Sequence, residues 1–105
     1  MATTILTRDD IAERLRGIES QIRAFGVRRL ALFGSVQRGE ARADSDVDLL
    51  VEFAPGEKTA RRFFGLYDLL EEVIDHRVEL VTTEALSPYI GPYILAEAED
   101  VIRTA

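Results

Sequence analysis

The chain contains no cysteine and only one histidine, and both absences limit the chemistry that it can carry. Without cysteine there are no disulfides, no thiolate zinc sites and no iron–sulfur clusters. The single imidazole of His76 leaves little room for a histidine-based metal centre. Any metal held by this chain must therefore be bound by oxygen ligands, which hard cations prefer.

Long apolar runs are also absent from the sequence. No stretch approaches the roughly 18 residues that a membrane span needs, and the N-terminal MATTILTRDD lacks the basic-then-apolar order of a signal peptide. We therefore expect a cytoplasmic protein with no membrane partner. The net charge of −6, from 13 basic and 19 acidic residues, argues against direct nucleic-acid binding, because Lys and Arg contacts dominate affinity for phosphate backbones.

The length and the hydrophobic pattern predict one domain over residues 1–105, of a two-layer α/β (α+β) class. Apolar residues at helical spacing predict helices, and short apolar runs between turn residues predict strands. The predicted elements, in order, are a helix from the cap Thr7 to Gly26, strands at 27–33 and 47–53, a helix at 59–74, a strand at 76–81, a helix from Ser87-Pro88 to about 98, and a short edge strand at 100–103.

Two acidic residues, Asp46 and Asp48, stand at the start of the second predicted strand. Because side chains alternate along a strand, both carboxylates are expected on one face, about 6.6 Å apart along the chain. Their repulsion costs stability unless a cation neutralises it, and two carboxylates with substrate phosphates are a common way of binding magnesium. The pair therefore predicts a divalent metal site. The alternative is an acidic strand edge with no function.

Gly34-Ser35 follows the first predicted strand and is suited to a phosphate ligand. The glycine lets the backbone approach a ligand closely, and the hydroxyl and following N–H groups face outward. Arg38 can meet phosphate oxygens with its planar guanidinium, or can equally be a solvated loop charge. Ser45 is placed to cap or orient the acidic loop.

Glu79 is the third acidic candidate, since it interrupts an otherwise apolar strand between Val78 and Leu80. A carboxylate buried there is costly unless it is compensated, and metal ligation would compensate it. The alternatives are a partly exposed edge-strand position, or an ion pair with Arg77 or Arg103.

The segment LFGSVQRGEARADSDVDLLVEF, followed by RVELV, resembles the polymerase-beta-like nucleotidyltransferases, and the short length is similar to their minimal nucleotidyltransferase (MNT) group. The motif is Gly-Ser, ten residues, then Asp-x-Asp. The resemblance implies a nucleotidyltransferase fold with a mixed sheet of three to four strands. It also implies that Asp46, Asp48 and Glu79 are catalytic and bind two Mg²⁺ ions, and that Gly34 and Ser35 hold the triphosphate of ATP. Glu79 departs from the family, which usually has Asp there.

The resemblance further implies a reaction and a partner. Family members transfer a nucleoside monophosphate from a triphosphate to an acceptor hydroxyl. Many MNT proteins are antitoxins of HEPN-domain ribonuclease toxins, and some attach AMP to a toxin tyrosine, which implies a hetero-oligomer with such a toxin. Two alternatives stay open. One is a binding module that neutralises the toxin stoichiometrically; the other is transfer to a small molecule such as an antibiotic, although the enzymes compared carry an additional helical domain.

Overall fold

The structure is a computed structural model that describes residues 6–103. Its elements are α1 Arg8–Arg16, α2 Glu19–Ala24, β1 Val27–Phe33, α3 Gly34–Arg38, β2 Val47–Phe53, α4 Ala60–Ile74, β3 Val78–Thr82, a 3₁₀ turn Thr83–Ala85, α5 Gly91–Glu97 and β4 Glu99–Arg103. None of the helices in this range is long and apolar enough to cross a bilayer.

The strands form one mixed sheet in the order β3-β2-β1-β4. β1 runs antiparallel to β2 and β4, whereas β2 and β3 are parallel. The predicted α/β class with a mixed sheet is thus confirmed, with four strands. The register places Phe33 opposite Asp48, and Asp48 beside Glu79.

The two faces of the sheet are covered unequally. Helices α1, α2 and α4 cover one face and form the main core, in which Leu15, Ile22 and Leu66 have no exposed surface. A smaller cluster on the other face joins Leu50 to Ile94 of α5. Since neighbouring strand residues point to opposite faces, Asp48 shares this second face with Leu50. The acidic pair of Asp48 and Glu79 therefore lies on the side of the sheet that carries α5.

Two helix starts follow from side-chain caps. The Thr7 hydroxyl accepts from the Asp10 N–H at 3.2 Å, and the Asp10 carboxylate accepts from the Thr7 N–H at 3.1 Å, a reciprocal capping box before α1. Thr59 caps α4 in the simpler way, accepting from the Arg62 N–H at 3.1 Å. Such caps satisfy backbone donors that have no partner within the helix.

Three predicted elements differ in the structure. The first helix is not continuous to Gly26, because Ile18 leaves helical geometry (φ −121°, ψ 25°) directly after Gly17, a residue type that weakens helices. The third strand begins at Val78, two residues later than predicted. The last helix begins at Gly91, because the Ser87 hydroxyl accepts from the Ile90 N–H at 3.0 Å and closes a separate turn first.

Candidate active site

Asp48 and Glu79 meet at the boundary between β2 and β3. They are register partners on parallel strands, whose backbones lie about 4.8 Å apart, and their carboxyl groups share a hydrogen bond. Asp48 is half-buried, whereas Glu79 is exposed because β3 is the edge strand. Of the two positions considered for Glu79, buried or partly exposed at an edge strand, the structure shows the exposed edge position, and the residue contacts Asp48.

The contact changes the charge state of Asp48. Burial, the hydrogen bond and the negative charge of Glu79 raise the pKa of Asp48 to about 7, and Asp46 adds to the effect. Arg38 acts in the opposite direction but contributes less. Around neutral pH the Asp48 carboxyl therefore carries a proton for part of the time, and a divalent cation can replace that proton.

Asp46 precedes β2 and forms an ion pair with Arg77. The Arg77 Nε donates to Asp46 Oδ1 at 2.7 Å, and this bond raises the pKa of Arg77. Arg77 thus pairs with Asp46, and Arg103 with Asp100, so the suggested ion pair of Glu79 with either arginine is wrong.

The three predicted metal ligands do not form a preformed cluster. Across residues 6–103, no three acidic or histidine side chains are grouped so that they could hold a metal ion. Like charges repel, so without a cation Asp46 pairs with Arg77 instead of joining the other two carboxyls. The donor set still fits a hard divalent cation, because all three groups offer oxygen and Asp48 is destabilised as a charged group beside Glu79.

Gly34 lies against Asp48 at the end of β1. Its φ of +78° favours glycine, and a Cβ built there would overlap Asp48 Oδ2 and lie 2.9 Å from Asp48 Cγ. Ser35 follows on α3 and is half-buried. The two halves of the motif, the Gly-Ser turn and the Asp48 carboxylate, thus lie side by side.

Arg38 is neither free nor merely solvated. Its Nε donates to Glu40 Oε1 at 2.6 Å, and its Nη1 donates to Glu97 Oε1 at 2.6 Å. The other oxygen of Glu97 accepts from the Gly34 N–H at 3.0 Å. Arg38 and this N–H lower the pKa of Glu97. Sequence reasoning missed Glu97 because it is 63 residues from Gly34 and no local pattern marks it.

Ser45 and His76 form hydrogen bonds that hold the loop before β2, which carries Asp46. The Ser45 hydroxyl accepts from the Arg42 N–H at 2.8 Å, which fits the expected orienting role. His76 Nε2 lies 2.6 Å from the Ser45 carbonyl oxygen, so this nitrogen carries the proton and donates. This bond ties the segment before β3 to the segment before β2.

A glycine-serine turn packed against an acidic strand, with a second acid on the neighbouring strand, is an arrangement suited to enzymes that act on phosphate-linked substrates, because its carboxylates offer oxygen ligands to the cations that accompany phosphates. Residues 12–101 match the family described as nucleotidyltransferase domain, and the chain belongs to this family. Its enzyme class is therefore nucleotidyltransferase, as the sequence resemblance predicted.

Individual relatives agree with this class. The chain is 38% identical over 94 residues to protein adenylyltransferase MntA of Thermococcus cleftensis, covering 89% of this chain and 94% of the relative. A solved structure described as a minimal nucleotidyltransferase superimposes with a TM-score of 0.79 at 35% identity, over 91% of this chain and 97% of the other. A chain in the complex of tri-AMPylated Shewanella oneidensis HEPN toxin with MNT antitoxin has the same fold, with a TM-score of 0.64, 19% identity, and 90% and 73% of the two chains covered.

Proposed function

We propose that this protein transfers AMP from ATP to a tyrosine hydroxyl of a HEPN-domain toxin and so acts as its antitoxin in the cytoplasm. The observation that carries the proposal is the contact of Gly34, Asp48 and Glu79, in a chain 38% identical to a protein adenylyltransferase. The toxin as partner is supported by the fold shared with an MNT antitoxin in complex with a HEPN toxin.

The site residues take the following roles in this proposal. Asp46, Asp48 and Glu79 would hold two Mg²⁺ ions, which would supply positive charge to offset that of the phosphates. Asp46 would be available for this role once it no longer pairs with Arg77. Gly34, Ser35 and Arg38 bind the triphosphate through a backbone N–H, a hydroxyl and a guanidinium, while Ser45 holds the acidic loop in place.

The reaction is a displacement at the α-phosphorus of ATP. The tyrosine oxygen of the partner forms a bond to this phosphorus, and the bond from the phosphorus to the bridging oxygen breaks, releasing pyrophosphate. Glu79 accepts the proton of the attacking hydroxyl. Its exposure at the sheet edge suits this role, because an acceptor on another protein must reach it from solvent.

The proposal is tested by incubating the protein with Mg²⁺, ATP labelled on the α-phosphate and the toxin encoded beside it, followed by mass spectrometry of the toxin. We expect AMP on a toxin tyrosine with the wild type and with Asp68→Asn, a control at an exposed helix position. We expect no transfer with Asp48→Asn. Absence of label from the wild type with any of the four nucleotides would contradict the proposal.

Stoichiometric neutralisation by a binding module is the second candidate. One observation favours it: Tyr89, Ile90 and Tyr93 are large side chains with 86%, 57% and 77% exposure, and they surround the start of α5. They are not core residues and offer an apolar surface to a partner. The same Asp48→Asn variant separates the two functions. Retained toxin binding with lost neutralisation supports the enzyme, whereas full neutralisation supports the binder.

A further inference from the structure

Glu97, the last residue of α5, uses both of its carboxylate oxygens on two donors near the acidic pair. Oε2 accepts from the Gly34 N–H at 3.0 Å, and Oε1 accepts from Arg38 Nη1 at 2.6 Å. The Glu97 side chain is 24% exposed, compared with 47% for Arg38. The carboxylate is thus a partly sheltered anion that bridges a backbone amide and a guanidinium.

These are two of the donors that the proposed function assigns to the triphosphate. Carboxylate and phosphate oxygens are both anionic acceptors, and both form short, charge-assisted bonds with guanidinium and amide groups. Each of these N–H groups forms one strong hydrogen bond at a time. A phosphate therefore cannot bind both donors while both are hydrogen-bonded to Glu97. We propose that Glu97 competes with the triphosphate of the incoming nucleotide for Gly34 and Arg38. This inference rests on the proposed function.

The surroundings of Glu97 allow it to leave without unfolding the site. Glu97 ends the short helix α5, in which Tyr93 and Leu95 are 77% and 46% exposed. A glutamate side chain can swing away by rotation about its own bonds. Arg38 meanwhile keeps Glu40 on its Nε at 2.6 Å, so the guanidinium stays oriented when its Nη1 becomes free.

Competition of this kind lowers the apparent affinity for the nucleotide. The apparent association constant is the constant for an open site multiplied by the fraction of molecules in which the donors are free. If Glu97 occupies them about nine-tenths of the time, the nucleotide binds about tenfold more weakly than it would to an open site. This factor corresponds to about 1.4 kcal/mol, in the range of a partly exposed, charge-assisted contact. Removing the negative charge of Glu97 should therefore restore the roughly tenfold higher affinity for the nucleotide.

The test compares Glu97→Gln with Glu99→Gln. Gln keeps the shape of the Glu97 side chain but presents a neutral amide to Arg38. Glu99 is two residues away and exposed, and its side chain forms a 3.8 Å ion pair with Arg8. The control therefore removes the same formal charge from the chain without touching Gly34 or Arg38. Circular dichroism melts verify that each variant is folded.

Dissociation constants are measured by calorimetry for ATP with Mg²⁺, and for inorganic tripolyphosphate in metal-free buffer. We expect both ligands to bind Glu97→Gln about tenfold more tightly than the wild type, with Glu99→Gln within about twofold of the wild type. Equal affinities of the two variants would overturn the competition, as would weaker binding by Glu97→Gln, which would make Glu97 an organiser of the donors. Absence of binding in every variant also overturns it.

The AMP-transfer assay keeps the two proposals apart. Transfer to the toxin by the wild type, combined with equal affinities of the Gln variants, removes the role of Glu97 and leaves the proposed function standing. Failure of transfer, combined with tighter tripolyphosphate binding by Glu97→Gln, leaves the competition standing and removes the proposed function.

Discussion

Replacing Gly34 by alanine should disrupt the site, and Gly39 provides a matched control. Both glycines have positive φ, +78° and +75°, so alanine costs about 1–2 kcal/mol of conformational energy at either position. At Gly39 the added Cβ meets nothing within 4 Å. At Gly34 it overlaps Asp48 Oδ2 and lies 2.9 Å from Asp48 Cγ, an overlap whose relief adds about 1–3 kcal/mol.

We therefore expect Gly34→Ala to lower the free energy of unfolding by about 2–5 kcal/mol and Gly39→Ala by about 1–2 kcal/mol. Urea denaturation followed by circular dichroism measures both values. Gly34→Ala should also abolish AMP transfer, because Asp48 must move, whereas Gly39→Ala should retain it.

A double-mutant cycle tests whether the Asp48 carboxylate is responsible for the extra cost of Gly34→Ala. In an Asp48→Ala background the carboxylate is gone, and the added Cβ at Gly34 faces only the Asp48 Cβ position at 3.1 Å. Gly34→Ala should then cost about as much as Gly39→Ala, which gives a coupling of about 1–3 kcal/mol between Gly34 and Asp48. Equal costs of the two alanine variants in the wild-type background would refute the close approach.

Three further outcomes are expected. The pKa of Asp48 is about 7 in the folded chain and ordinarily 3.8, so the folded state binds more protons between these values and its stability falls as pH rises from about 4 to 7. Asp48→Asn should remove this fall and be about 1 kcal/mol more stable than the wild type at pH 8, as measured by urea denaturation without metal. Mg²⁺ at pH 8 should raise the melting temperature of the wild type more than that of Asp48→Asn, and equal shifts would contradict a metal role for this carboxylate. Thr59→Ala should lower stability by about 1 kcal/mol through loss of the α4 cap and leave AMP transfer unchanged; a loss below 0.3 kcal/mol, roughly, would mean that the cap contributes little.

The parts of the fold that sequence predicted well are those set by neighbours in the chain. β1 and β2 begin and end at the predicted residues, because each is a short apolar run bounded by glycine or by acidic residues. The break at Ile18 was not predictable from periodicity, since Ile11, Leu15 and Ile22 keep helical spacing across it and all three are buried. The break follows Gly17, a residue type that weakens helices, while the apolar spacing continues across it.

The same distinction holds for the site. The Gly-Ser and Asp-x-Asp motif indicated that Gly34 and Asp48 belong to one site, and the family resemblance implied Glu79 as the third acid. Periodicity carries no information about which side chain fills the space between elements, so the partners Arg77 and Glu97 were not foreseen. Both are ordinary charged residues in the sequence, and only the packing of β3 and α5 gives them a role.

Within residues 6–103, each strongly charged group of the site already has a partner from the chain itself. Arg77 pairs with Asp46, the raised pKa of Asp48 lets it carry a proton beside Glu79, and Glu97 pairs with Arg38. In the proposed function, a metal–nucleotide complex would therefore bind by exchange: cations would take the place of an arginine and a proton, and phosphates would take the place of a carboxylate. The affinity for either component would then depend on displacing a competitor that the fold supplies, so that Arg77 and Glu97 would influence binding strength as much as the ligand-binding residues.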